Sequence, residues 1–349
     1  MRMPALPSPS RGLPGRRERL LAGASVLISF LLSLAVVEGG LRIKQRLNAW
    51  QESRQLPPIS ARAVIPSPDP ELLFEWNPGW SRDGFSVNSL GMADDEVSVA
   101  KPEGVFRIAF VGDSLSASFK LGPRSEIYLN ALERRLNRDP QQPYRIEALN
   151  FGVNGYGLLQ DLRVLETRVP PFEPDLIVVQ LCLNDPYPSD AEYARVAPRR
   201  TLRLWEFLER RLRRDRFSGW FFVDRNYDAT GLDNLERGIA GLARLARQGP
   251  PILAVLFPYL YRPAYDAWGF ERYHALYRRA AAEAGLPLLD LYAPFRRAGL
   301  IGMRGVPVDP IHPDRVGNEL AAALIASELD TLGWLPRPAA GPAGVTRDW

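Results

Sequence analysis

Ser114 stands in FVGDSLSASF, immediately after the apolar run FRIAFV, and Gly112 ahead of it permits a tight turn that would lift the serine above the edge of a sheet. On its own, Gly-Asp-Ser after a strand is more often a turn and helix cap than a nucleophile. A serine hydroxyl attacks a carbonyl only when a base at hydrogen-bond distance takes its proton, and histidine is the usual base because imidazole titrates near neutrality. The chain has 2 histidines. His274 lies inside FERYHALYRRAAAEAG, a helical stretch in which a surface or packing role is expected. His312 lies in VDPIHPDRVGNELAAALI, a loop ahead of the last helix, with Asp309 three residues upstream and Pro310 and Pro313 stiffening the turn. A histidine that merely caps the last helix is the competing reading, and the co-occurrence of this loop with the serine motif weighs against it. Ser114, His312 and Asp309 are therefore the candidate nucleophile, base and base-orienting residue.

Acyl transfer also needs donors aimed at the oxygen that becomes negative. In NFGVNGYG, Gly155 can bring its N–H close to a ligand with no side chain in the way. Asn184, in LND at the end of another apolar run, can offer a side-chain amide. Taken singly, the first is an ordinary glycine-rich turn and the second an ordinary strand exit. Their order along the chain, between the serine and the histidine, is what informs.

Such residues need a frame, and from Val105 onward short apolar runs alternate with amphipathic stretches at helical spacing. The predicted strands are Val105–Val111, Tyr144–Asn150, Asp175–Leu183, Ile252–Phe257 and Leu286–Leu291; the predicted helices lie near Ser125–Asn137, Gly157–Val169, Leu232–Gln248, Phe270–Ala284 and Asp314–Leu332. Continuous apolar runs suit strands buried on both faces, and parallel crossovers are right-handed. The expected fold is a three-layer α/β/α sandwich around a mainly parallel five-stranded sheet. Ligands in such sheets bind beyond the carboxyl ends of the strands. That is where GDS, NFGVNG and LND fall.

In family order, GDSLS from Gly112 to Ser116, NFGVNG from Asn150 to Gly155, LND from Leu183 to Asp185 and DPIHP from Asp309 to Pro313 resemble the four motif blocks of the GDSL/SGNH hydrolases. The likeness spans roughly Val105 to Leu332. It implies Ser114 as nucleophile, the Ser114 N–H, Gly155 and Asn184 as oxyanion donors, and Asp309 with His312 as the remaining dyad. It further implies a two-step hydrolysis of an ester of a small molecule, lipid or polysaccharide, with no metal and no organic cofactor. Cys182 and Leu183 stand where many members have a glycine before the asparagine of the third block, which points to a narrowed acyl pocket. The family also includes enzymes that move acetyl groups on extracellular polysaccharides, so O-acyl transfer is the alternative activity, and a binding protein with a dead site is a third reading that the filled catalytic positions disfavour.

The rest of the chain bounds the setting. After a basic segment, residues 1–19, comes LLAGASVLISFLLSLAVV, residues 20–37, uncharged and rising about 27 Å as a helix, enough to cross a bilayer core. No small-x-small cleavage site follows, which favours an uncleaved signal anchor over a cleaved signal peptide and a single-pass membrane protein with its body outside the cytoplasm. Residues 38–103 form a stalk and small cap, with a hairpin expected in FEWNPGWSRDGFSVNSLGM; residues 104–335 form the hydrolase domain and 336–349 a Pro/Gly-rich tail. The net charge is +4, yet lysine occurs only at Lys44, Lys101 and Lys120, and no nucleic-acid-binding motif accompanies the arginines. A partner of that class is not expected. The one cysteine, Cys182, excludes an internal disulfide and lies in LIVVQLCL as a buried hydrophobe. Arg195–Phe217 is a basic amphipathic stretch whose simplest role is a solvated helix with its apolar stripe against the domain, a membrane-surface helix being the alternative. Neither the oligomeric state nor the acyl length of the substrate is legible.

Overall fold

A computed structural model describes residues 16–55, 62–117, 123–138, 140, 143–187, 226–302 and 311–336. Two compact units are distinguished, one containing residues 1–56 and the other containing 57–198 and 219–349. The described part of the first is a single helix, α1 (Arg16–Gln55), longer than the apolar run because the flanking residues are also good helix formers. Its stretch Arg19–Lys44 is long and apolar enough to cross a membrane. Leu20, Val26, Ile28, Phe30 and Leu32 lie exposed on its surface.

The second unit opens with two small antiparallel pairs. Strands β1 (Val64–Pro66) and β2 (Phe74–Trp76) pair with Val64 opposite Trp76. Strands β3 (Ser81–Arg82) and β4 (Phe85–Ser86) form a hairpin whose central residues, Asp83 and Gly84, both have positive φ, at 53° and 81°. An Asp-Gly pair in that conformation is the turn that matches the twist of a two-residue hairpin. The hairpin expected in this region is thus confined to Ser81–Ser86, and FEW pairs backward with β1 instead.

The main body is a five-stranded, all-parallel sheet of β5 (Val105–Val111), β6 (Arg145–Asn150), β7 (Leu176–Leu181), β8 (Ile252–Leu256) and β9 (Leu288–Asp290), in the spatial order β6-β5-β7-β8-β9. Every residue of β7 and β8 is buried, as strands covered on both faces require. The helices are α2 (Ser114–Ala117), α3 (Tyr128–Leu136), α4 (Leu158–Thr167), α5 (Ala229–Ala246), α6 (Arg262–Asp266), α7 (Glu271–Ala284), α8 (Tyr292–Arg297) and α9 (Arg315–Thr331). Helix α3 packs on α9, and α5 packs on both α4 and α7, so two helical layers enclose the sheet. The expected three-layer sandwich is the observed one. All five predicted strands and five main helices are present, most with ends shifted by one to three residues. The predicted Ser125–Asn137 helix begins as a 3-10 turn at Arg124–Glu126 before α3. Helices α2, α6 and α8 are single turns or little more, too short to show a period in the sequence.

Two local features set the packing. A Cβ on Gly238 would lie 2.4 Å from Leu158 and one on Gly241 2.5 Å from Leu162, so both glycines let α5 approach α4 closely. At the amino-terminal edge of the sheet, Arg107 is wholly buried. It donates to Glu147 (2.7 Å) and to the carbonyls of Val99, Phe172 and Ser98 (2.8, 2.9 and 2.6 Å). One side chain therefore ties the entry to β5 to β6 and to the segment before β7. Removing a buried charged partner leaves the others desolvated and unpaired, and Arg107→Met should cost about 3 to 5 kcal/mol of stability. Denaturant unfolding of the detergent-solubilised chain checks this; a loss below about 1 kcal/mol would mean that the cluster rehydrates.

Candidate active site

The strand order reverses direction at β5: the chain leaves it for β6 on one side, and β7 lies on the other. A crevice forms at such a switch point, beyond the carboxyl ends of the strands. Ser114 follows the end of β5 by three residues and Asn184 the end of β7 by three, so the frame alone sets both at its rim.

The turn that presents Ser114 is held from beneath by Gln180, the one polar residue in the buried strand β7. Its side-chain carbonyl accepts hydrogen bonds from the Asp113 N–H (2.9 Å) and from Ser116 Oγ (3.2 Å). Gly112 is required here for lack of space, because a Cβ would lie 2.4 Å from that same oxygen. Asp113 caps the single turn α2 by accepting from the Leu115 N–H at 2.9 Å. Ser114 is then the first residue of a helical turn, where the backbone N–H has no acceptor within the helix.

His312 comes from the loop before α9. Asp314 caps that helix through the Gly317 N–H (3.0 Å), and a Cβ on Gly317 would lie 2.7 Å from Pro313. Asn318 donates to the carbonyls of Pro313 (3.0 Å) and Asp314 (3.1 Å) and accepts from the Tyr128 N–H (3.1 Å), fastening the histidine loop to the start of α3. The result is a hydrogen bond of 2.7 Å between His312 Nε2 and Ser114 Oγ, residues 198 apart in sequence. Asp309 lies outside the described residues, as does Arg195–Phe217.

Asn184 donates from its amide to Asp113 Oδ2 at 3.2 Å, which puts it beside the turn that carries Ser114. Gly155 has φ +82°, a left-handed conformation that glycine adopts without strain. Its loop joins the end of β5 through the Val153 N–H and the Gly112 carbonyl (2.9 Å). Cys182 and Leu183 are fully buried, their carbonyls accepting from Tyr277 (2.7 Å) and Tyr227 (3.0 Å). Burial pushes the carboxyls of Asp113, Asp161 and Asp185 up; repulsion from Asp113 raises the other two further, whereas the Leu115 N–H and then His312 draw Asp113 partly back. Among the described residues no group of three or more His, Cys, Asp or Glu side chains is arranged to hold a metal ion.

His274 fills a different role. It is buried, with Nδ1 2.8 Å from Asp290 and Nε2 3.2 Å from the Tyr265 hydroxyl, so it belongs to the packing of α6 and α7 against the end of β9. Gln180, Tyr128 and Asn318 position the site and were not singled out from sequence. A glutamine inside LIVVQLCL was the available signal, since a polar side chain in a strand buried on both faces must find partners.

Comparisons with known proteins bear on this site. No curated protein sequence matches the chain. Similar solved structures include TesA (21% identity, 65% of this chain and 99% of that one, TM-score 0.43). They also include Axe2, an acetylxylan esterase from Geobacillus stearothermophilus (16% identity, 66% and 96%, TM-score 0.46). A third is LAE5, an alpha/beta hydrolase enzyme from the metagenome of Lake Arreo, Spain (20% identity, 66% and 96%, TM-score 0.45). The model of the GDSL-like lipase/acylhydrolase family matches residues 110–320. That segment runs from the end of β5 into α9 and takes in more than half of the 349 residues. By that match, the chain belongs to the GDSL-like lipase/acylhydrolase family and is an enzyme that hydrolyses ester bonds.

Proposed function

We propose that Ser114 is the nucleophile of a serine esterase, with His312 as its base and Asp309 orienting the imidazole. The observation that carries this is the 2.7 Å hydrogen bond between Ser114 Oγ and His312 Nε2. As Ser114 Oγ bonds to the carbonyl carbon of the ester, its proton passes to His312 Nε2 and the carbonyl oxygen becomes an oxyanion. The N–H groups of Ser114 and Gly155 and the amide of Asn184 donate to that oxygen. Collapse of the tetrahedral intermediate breaks the bond to the alcohol, which leaves with the proton from the imidazolium. Water, deprotonated by the same imidazole, then releases the acid and restores the serine. Substrates are O-acyl esters of a carbohydrate, or lipid or short-chain esters.

The protein is anchored in a membrane by α1, with the catalytic domain on the extracytoplasmic side. The stretch Arg19–Lys44 spans about 39 Å as a helix, and its apolar side chains face outward, which suits lipid.

A fluorophosphonate probe should label Ser114, and His312→Ala should suppress the labelling. Because the pair acts as a unit, Ser114→Ala/His312→Ala should be hardly slower than either single variant, each losing about 10³-fold or more in kcat on a p-nitrophenyl ester. Esterase activity that survives in Ser114→Ala would remove the serine from the mechanism. Asn184→Ala should lower kcat by about 10² to 10³-fold with KM little changed. The membrane reading predicts that the full-length chain sediments with membranes, resists high salt and alkaline carbonate, and is released by detergent. A mostly soluble protein whose chain starts after Val37 would replace the anchor with a cleaved signal.

A further inference from the structure

We propose that Trp76, in the small cap ahead of the sheet, is a positioning residue for the loop that presents the Gly155 N–H. The proposal rests on the oxyanion role given to Gly155 above. The cap lies before residue 110, where the family match begins.

Trp76 is 1% exposed, and its Nε1–H donates to the carbonyl of Gly152 at 2.8 Å. Gly152 has no room to move inward: a Cβ there would lie 2.6 Å from the Cβ of Ser116 and 2.9 Å from the N of Ala117, both on the nucleophile turn. Four residues on, the Tyr156 hydroxyl donates to the carbonyl of Phe74 at 2.5 Å, and the two rings meet edge to face with centroids 5.2 Å apart. Gly155, at φ +82°, lies between these two pegs. Both pegs belong to one three-residue strand, β2, so a single element holds the loop on either side of Gly155.

A second set of bonds fastens the root of the loop. The Asn150 N–H donates to Asp94 Oδ2 (2.8 Å), and its side-chain amide donates both to the carbonyl of Ala93 in the cap (3.1 Å) and to that of Ser116 (2.9 Å). Asn150 Oδ1 accepts from the Gly152 N–H (2.9 Å). Beyond the loop, Gln160 donates to the carbonyl of Leu72 at 2.6 Å. Cap, loop and nucleophile turn are thus one hydrogen-bonded stack, with Gly152 in its middle.

Oxyanion donors act only within a few tenths of an ångström of their ideal place. Without the indole N–H, the buried carbonyl of Gly152 has to turn toward another donor or water, and the backbone that carries Gly155 turns with it. The effect should appear in the chemical step and not in substrate capture.

The test uses the full-length chain in detergent, with Trp76→Phe and Tyr156→Phe, each of which removes one donor and keeps an aromatic ring. Active sites are counted by fluorophosphonate titration. The kcat per titrated site on a p-nitrophenyl ester should fall about 10- to 100-fold with KM within about two-fold of wild type. Affinity for a boronic acid, which forms a tetrahedral adduct with an oxyanion, should fall by the same factor. Variants that melt earlier yet keep wild-type kcat per site and wild-type boronate affinity would reduce the contact to packing and overturn the proposal. If Trp76→Phe does not fold, Tyr156→Phe decides in the same way. Ser114→Ala separates the two levels: should it retain activity, the serine mechanism itself fails; should it be inactive while both cap variants turn over normally, only the role of Trp76 is lost.

Discussion

The side-chain carbonyl of Gln180 accepts from the Asp113 N–H and from Ser116 Oγ inside a strand that is otherwise apolar and buried. From that oxygen a continuous path runs outward. Ser116 Oγ meets the Tyr128 hydroxyl at 2.7 Å, the Tyr128 N–H donates to Asn318, and Asn318 donates to the carbonyl of Pro313, next to His312. The serine and the histidine are therefore held at 2.7 Å by two routes, their own bond and a buried network beneath it. Such networks hold a geometry tightly because every member is costly to leave unpaired.

Around this path the protein accepts an electrostatic cost. Asp113, Asp161 and Asp185 are all buried, and burial lifts their carboxyls. Asp185 puts its carboxylate on the Cys182 N–H (2.7 Å), while its carbonyl accepts from the Leu158 N–H at 2.9 Å. Those two bonds shape the turn that carries Asn184 and join it to the first residue of α4. Asp113 caps the turn that carries Ser114 and also receives the amide of Asn184. Two of the three acids are thus structural parts of the site, and their placement favours a local geometry over the lowest solvation energy. The cap adds a further layer, since Trp76, Phe74 and Asp94 reach the loop after β6 from outside.

Much of this was legible in the chain. VFRIAFV is observed as a strand with its predicted ends, because an apolar run interrupted only by Arg107 and bounded by Gly104 and Gly112 leaves a largely buried parallel strand little alternative. The helix Phe270–Ala284 begins one residue late and stops at Gly285, whose left-handed φ of 68° ends it. Ser114 and His312 were identified together by chemical type and motif, and they stand within a hydrogen bond of each other. Asp309 lies outside the described residues. The hairpin is narrower than the stretch Phe74–Met92 suggests, because FEW alternates like a strand whichever neighbour it takes, and only the register with β1 chooses between them.

What the sequence by itself determined is therefore the material of the site and its order: which strands are buried, where turns interrupt them, and which serine, histidine, glycine and asparagine fall at strand exits. Periodicity and residue chemistry are local properties, and a linear reading captures them. What only the tertiary structure decided is which distant groups meet. Gln180 beneath Asp113, Asn318 on Tyr128 and Trp76 on Gly152 each join segments 67, 190 and 76 residues apart. Partners at such separations are selected by the strand order and the two helical layers, because a buried polar group takes whatever donor or acceptor the packing brings to it.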